Sequence, residues 1–266
     1  MMQRSCLLLS FILITSLAYS QTMTIHLKSG KKVDYNTRDI DKVTYSFGGK
    51  PVEGPFRKGL IAYYPFNGST ADESSNGNDA MNIGVQLATD RFGNQNASVY
   101  FFGEKNYLTI RNNASFNNLK ELTVAAWIRS SGKEWGVILS KGDNQKYQYA
   151  LVMNMGSAMI VAWTYSGENH LRAEGFVADG NWHLVTGVIK DGVSASLYVD
   201  GVLKQTDSSP KSQWLKTGNA DLKIGCRLNN GREDGFFKGY VDDISFYNRA
   251  LTADEIKALY RESGWK

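Results

Sequence analysis

The chain has 266 residues, 42% of them hydrophobic and 21% charged, with 26 Gly, 4 Pro and a formal charge of +4. This is globular composition, with room for one large domain and a small appendage. Two cysteines are too few for a disulfide framework, no basic run points to nucleic acid, and no run beyond the N-terminus is apolar enough to insert into a membrane.

Residues 1–20 read as a cleavable signal peptide. Arg4 supplies the positive end, Leu7–Leu17 an apolar stretch too short to span a bilayer, and Ala18-Tyr19-Ser20 a small-x-small cleavage site. The mature protein is expected to start at Gln21 and to be secreted, to the periplasm or the cell surface. Cys6 lies at the start of the apolar run rather than after it, so no lipid anchor is expected. Loss of Arg4 takes the charge from +4 to +3 and leaves Cys226 as the remaining cysteine. Cys226 reads as a small buried hydrophobe; an intermolecular bridge and a reactive thiol are the alternatives.

Residues 21–47 form a short β-rich extension, with strands expected over Thr24–Lys28, Lys32–Tyr35 and Ile40–Phe47. Residues 48–58, punctuated by Gly and Pro, read as a linker. The main domain, 59–262, opens with a strand at Leu60–Phe66 and a long polar loop at Asn67–Asn82. Strands are expected at Ser98–Phe102, Tyr107–Arg111, Leu122–Arg129, Val137–Lys141, Tyr149–Met153, Ala158–Tyr165 and Leu171–Val177. A hairpin pair follows. Trp182–Ile189 is an apolar run, Ser194–Val199 alternates, and Asp200-Gly201 suits the positive φ angles of a two-residue type I′ loop. Asp221–Cys226 and Phe236–Tyr247 complete the strands. Ala253–Glu262 is the one helix, with Thr252 and Glu255 at capping-box spacing and Ile256, Leu259 and Tyr260 as its apolar stripe. Regular strands without βαβ alternation predict an all-β antiparallel sandwich with one short C-terminal helix.

Three stretches carry a family resemblance. They are Gly59–Gly68 followed by Ala71–Ala80, Asn181-Trp182-His183 with Tyr198-Val199-Asp200-Gly201, and Phe237–Leu251 running into the helix. In order and spacing they resemble a laminin-G-like domain of the concanavalin A-like lectin/glucanase class, over about residues 56–262. The resemblance implies a jelly-roll sandwich. The paired cysteines of some members are missing here. The N-terminal unit is similar to strand-rich extensions on exported proteins of Bacteroidetes-type bacteria.

The polar loop is the first chemical candidate. Asn67, Asp72, Asn76, Asn78 and Asp79 offer oxygens among Gly68 and Gly77, as a hard cation requires. The loop has too few carboxylates for a whole site and needs a distant one. Strand alternation places Asp242 and Asp243 on opposite faces of the sheet, and an inward carboxylate demands a partner. The resemblance implies that Asp242, with Asp243 as second choice, approaches this loop. A structural calcium held by Asn67, Asp72, Asn78, Asp242 and Asp243 is therefore expected, ahead of the alternative of Asx-turns and an aspartate bonded to backbone N–H groups.

For ligand binding, Trp135, Trp163, Tyr165, His170 and Arg172 combine flat rings with polar groups near strand ends, as a glycan-binding face requires; each ring is equally well read as core. Trp214 belongs to the same class of aromatics. No catalytic residues are assigned. Glu-x-Asp-x-x-Glu and Gly-x-Ser-x-Gly are absent, Glu168 and Glu174 have no acid–base marking, and Glu233-Asp234 reads as a solvated turn. His26, His170 and His183 make no zinc cluster; His183, Trp182 and Trp127 read as structural. The expectation is a non-catalytic recognition module for glycan. The alternatives are an adhesion or scaffolding module for a cell-surface protein, and a glycoside hydrolase or lyase with an unrecognised site.

Overall fold

The computed structural model describes residues 22–26, 32–36, 56–143, 149–163, 170–208 and 218–262. The chain divides into two units, Met1–Val52 and Glu53–Lys266. In the first, β1 (Thr22–His26) pairs antiparallel with β2 (Lys32–Asn36). The strand expected at Ile40–Phe47 falls outside the described residues.

The second unit is an antiparallel sandwich. Its strands in chain order are β3 (Leu60–Tyr64), β4 (Met81–Ile83), β5 (Gln86–Ala88), β6 (Ser98–Phe102), β7 (Tyr107–Ile110), β8 (Glu121–Arg129), β9 (Gly136–Lys141) and β10 (Tyr149–Asn154). There follow β11 (Ser157–Trp163), β12 (His170–Phe176), β13 (Trp182–Lys190), β14 (Ser194–Val199), β15 (Val202–Asp207), β16 (Leu222–Ile224), β17 (Arg227–Asn229), β18 (Arg232–Asp234) and β19 (Lys238–Tyr247), before the helix α1 (Ala253–Glu262). One sheet has seven strands in the order β12-β11-β10-β9-β16-β7-β4; the other has eight, β15-β14-β13-β8-β19-β6-β5 with β3 beside β19.

Period-two patterning sorts β8 between two layers. Leu122, Val124, Ala126 and Ile128 enter the main core between the sheets. Ala125 and Trp127 point the other way and meet Trp182, Leu184, Tyr240 and the helix residues Leu259 and Tyr260. A second apolar layer therefore lies on the outer face of the eight-stranded sheet, with α1 against it.

Local chemistry explains the elements read from sequence. Asp200 and Gly201 adopt φ of 54° and 74°, and join β14 to β15. The backbone N–H of Glu255 donates to Thr252 Oγ1 at 3.2 Å, while the Thr252 N–H donates to Glu255 Oε2 at 2.8 Å, closing the capping box. Short strands β4 and β5 and the β17–β18 hairpin are additions to the predicted set. That hairpin carries Asp234, expected as a solvated turn residue; Arg227 Nε instead binds Asp234 Oδ1 at 2.5 Å.

Candidate functional site

The site forms where β19 changes neighbour. Along one edge β19 pairs with β8; along the other it pairs with β6 through Lys238–Val241 and with β3 through Ile244–Tyr247. Between these two partners the strand bulges. Asp242 stands opposite Trp127 and Ser245 opposite Ala125, so β19 carries one residue more than β8 over this stretch. Asp243 takes a φ of 46°, and its N–H donates to Asp242 Oδ1 at 2.8 Å.

The bulge corrects the expectation that alternation separates the two aspartates. Both carboxylates reach the same guanidinium: Arg91 Nη1 lies 2.5 Å from Asp242 Oδ2, and Arg91 Nη2 lies 2.6 Å from Asp243 Oδ2. The turn after β5 presents this arginine. Asp90 Oδ1 accepts the backbone N–H groups of Phe92 and Asn94, both at 2.8 Å, and Asp90 Oδ2 accepts from Asn94 Nδ2. The Arg91 guanidinium lies 4.4 Å from the Phe92 ring centroid and 4.7 Å from that of Trp127. From the other side, the Tyr63 hydroxyl donates to Asp243 Oδ1 at 2.5 Å.

One positive charge faces two carboxylates. Burial, and then the Asp243 charge, raise the Asp242 carboxyl above the usual carboxylate range, against the opposing pull of Arg91. Burial also raises the Tyr63 phenol, with Asp243 adding to the shift, so it stays a neutral donor. Above this network opens a cavity of about 670 Å³, lined among others by Arg57, Tyr63, Asn67, Phe92, Asn94 and Asp243. Phe92 is 51% exposed.

The five residues expected to hold calcium fall into two groups. Asn67, Asp242 and Asp243 line the cavity. Asp72 and Asn78 are engaged elsewhere. Asp72 Oδ1 accepts from the N–H groups of Tyr63 and Ser74, and its Oδ2 from Ser74 Oγ and the Asn78 N–H. Asn78 Nδ2 donates to the Ile61 carbonyl at 2.7 Å, and its Oδ1 accepts from Asn113. The loop is thus fastened to β3 by Asx chemistry, and the guanidinium of Arg91 supplies the counter-charge assigned to a cation. Among the described residues no group of three or more His, Cys, Asp or Glu side chains is arranged to hold a metal. As placed, these five residues do not fit a single calcium ion.

The expected aromatic platform is partly placed. Trp135 is 40% exposed, and Arg227 stacks on it at 4.4 Å. Backbone register sets Trp163 opposite His170 and Val161 opposite Arg172. Tyr165 and Trp214 lie outside the described residues, as do the side chains of Trp163, His170 and Arg172. His183 is structural: Nδ1 meets Asp200 Oδ2 at 2.8 Å and Nε2 meets Asp179 Oδ1 at 3.0 Å. Trp127 and Trp182 are buried as expected. Arg91 and Phe92 were not singled out from sequence; the usable signal was an aromatic and an arginine inside an Asp-x-x-Gly-Asn turn.

The family model of the concanavalin A-like lectin/glucanases superfamily matches residues 102–257, more than half of the chain. The chain belongs to this superfamily. Similar solved structures include the binding domain of Paraclostridial Mosquitocidal Protein 1, at 15% identity and a TM-score of 0.65, over 78% of this chain and 53% of that one. The receptor binding domain of botulinum neurotoxin C/D mosaic serotype matches at 14% and 0.63, over 77% and 51%. The ligand binding domain of botulinum neurotoxin serotype D in complex with N-acetylneuraminic acid matches at 15% and 0.60, over 77% and 51%. The chain spans about half the length of these structures, and at such identities the likeness establishes the jelly-roll fold alone.

Proposed function

We propose that this is an exported carbohydrate-recognition module whose ligand enters the cavity above Arg91 and the Asp242–Asp243 pair. The observation that carries the reading is the half-exposed Phe92 ring beside Asn67, Asn94, Arg57 and Asp243 in one 670 Å³ cavity. A flat apolar ring with planar hydrogen-bonding groups around it matches a saccharide, which presents an apolar face and a rim of hydroxyls. That one similar structure is a complex with N-acetylneuraminic acid, and that another belongs to botulinum neurotoxin type C, whose cell entry depends on interaction with two ganglioside molecules, supports a lectin-like role.

Recognition is favoured over hydrolysis by the arrangement of the carboxylates. Asp242 and Asp243 are consecutive and grip one guanidinium, whereas glycoside hydrolysis needs two carboxyl groups facing each other across a bond. Calcium has no part in the proposed site, because Arg91 occupies the position of the counter-charge. Export rests on the signal-like residues 1–20, and no described helix is long and apolar enough to cross a membrane. The proposed partner is a glycan at or outside the cell surface, in a bacterium of Bacteroidetes type. A protein ligand is the second reading, favoured by the edge strand β15, where Val202 and Leu203 stand 58% and 49% exposed.

Glycan-array binding followed by calorimetry tests the proposal. Phe92→Ala and Asn67→Ala are expected to weaken binding of the selected saccharide at least tenfold without changing the melting curve. Undiminished binding by both variants, or no saccharide bound, overturns it.

A further inference from the structure

Across the outer face of the eight-stranded sheet, register alone builds a row of side chains. Trp182 stands opposite Arg129, Arg129 opposite Tyr240, and Tyr240 opposite Tyr100. These belong to adjacent strands β13, β8, β19 and β6, so neighbours along the row are about 5 Å apart in the hydrogen-bonding direction. The side chains use that spacing. The Arg129 guanidinium lies 4.0 Å from the Tyr240 ring centroid and 5.3 Å from that of Trp182, and the Tyr240 and Tyr100 rings stand 4.6 Å apart. Phe102 closes on Tyr100 edge-on at 4.9 Å. Beside the row lies a second cavity of about 410 Å³, lined by Tyr100, Arg129, Ser131, Glu134, Lys238 and Tyr240 among others.

Burial and charge together set Arg129 apart. The exposed Arg57, Arg111, Arg232 and Arg261 also lack an ion pair, but of the part-buried or buried arginines whose side chains are described, Arg91, Arg227 and Arg249 are each paired to a carboxylate. Among the described residues Arg129 has none within ion-pair reach, nor does Lys238, and Glu134 bonds to neither. Stacking between aromatic rings holds the guanidinium plane in place, so its donors meet an incoming oxyanion with little loss of freedom. A guanidinium fork matches a carboxylate in two parallel hydrogen bonds, and an ammonium nearby adds charge.

We propose that this cavity binds the carboxylate of an acidic saccharide. Arg129 takes the carboxylate in bidentate fashion, Lys238 adds its charge, and the Tyr100–Tyr240 rings lie against the sugar. The saccharide part rests on the carbohydrate reading above; the site is a different one, and so is its chemistry.

Calorimetry with two probes separates them: a disaccharide of glucuronic acid and N-acetylglucosamine, and the same disaccharide with its carboxyl reduced to the alcohol. The acidic probe is expected to bind at least tenfold more tightly than the reduced one, and more weakly as salt is raised. Arg129→Gln and the exposed-site variant Lys238→Ala are each expected to remove most of that preference, while Phe92→Ala leaves it in place. Equal binding of the two probes overturns the proposal, as does an acidic preference that survives both substitutions. Loss of the preference in Arg129→Gln and Lys238→Ala with no effect of Phe92→Ala on either probe upholds this site and removes the cavity at Phe92.

Discussion

Arg91 and Asp242 are both 3% exposed at their side chains and meet at 2.5 Å, with Asp243 completing the grip. A buried guanidinium joins two carboxylates under the outer layer of the sheet, at the point where β19 leaves β6 for β3. Removing the cation leaves Asp243, and Asp242 whenever it is ionised, without their counter-charge. Arg91→Met is therefore expected to cost about 3–5 kcal/mol of stability, as broken buried pairs do, and Arg91→Lys less. Urea denaturation measures this. A loss under about 1 kcal/mol, within the range of an exposed pair, contradicts the account.

The same cluster gives a pH signature. The folded state holds a proton on Asp242 more tightly than the unfolded chain, because burial and then Asp243 raise its pKa. The folded state thus binds more protons, and this group's contribution falls as pH rises from the ordinary carboxylate range near 4. Asp242→Asn is expected to flatten that decline when stability is followed from pH 4 to pH 8. Parallel profiles for the two proteins count against it.

His183 makes a separate pH contribution. Its pKa is raised, first by the hydrogen bond to Asp200, against burial and with help from Asp179. A raised histidine contributes stability that is complete below its unfolded value near 6.5 and is lost as pH climbs through the folded value. His183→Gln should remove this difference between pH 5.5 and pH 8. Thermal melts at the two pH values decide, and an undiminished difference in the variant refutes the assignment.

Chelator and calcium provide the third test of the Arg91 cluster. With Arg91 as counter-charge and Asp72 and Asn78 held by backbone groups, the melting temperature is expected to be the same in EDTA and in millimolar calcium. A calcium-dependent rise that Asp242→Ala abolishes would restore the metal.

Much of the sandwich was legible because its signals are local. Alternation in Ser194–Val199, the Asp200-Gly201 turn and the Thr252–Glu255 box each depend on residues a few positions apart, and each appears as read. β4 and β5 have three residues apiece, too short for a period to show. The site was only half legible. Asp242, Asp243 and Asn67 were singled out and line the cavity, but the bulge that swings Asp243 round depends on the spacing of Ala125 and Trp127 in another strand. The partner that decides their chemistry, Arg91, is 151 positions away from Asp242. Asp72 and Asn78 show a second limit of local reading: oxygen donors among glycines suit an Asx-turn as well as a metal, and their partners in the structure are backbone groups of Tyr63 and Ile61.

The pairing of β3 with β19 has a kinetic meaning. Tyr63 and Asp243 are separated by 180 positions, and β3 has β19 as its strand partner in the sheet. The opening strand of the sandwich must stay unpaired until the closing strand has emerged. Such late, long-range closure slows folding. The Arg91 cluster lies on that seam, so its full set of bonds requires the first and last strands of the sandwich to have met.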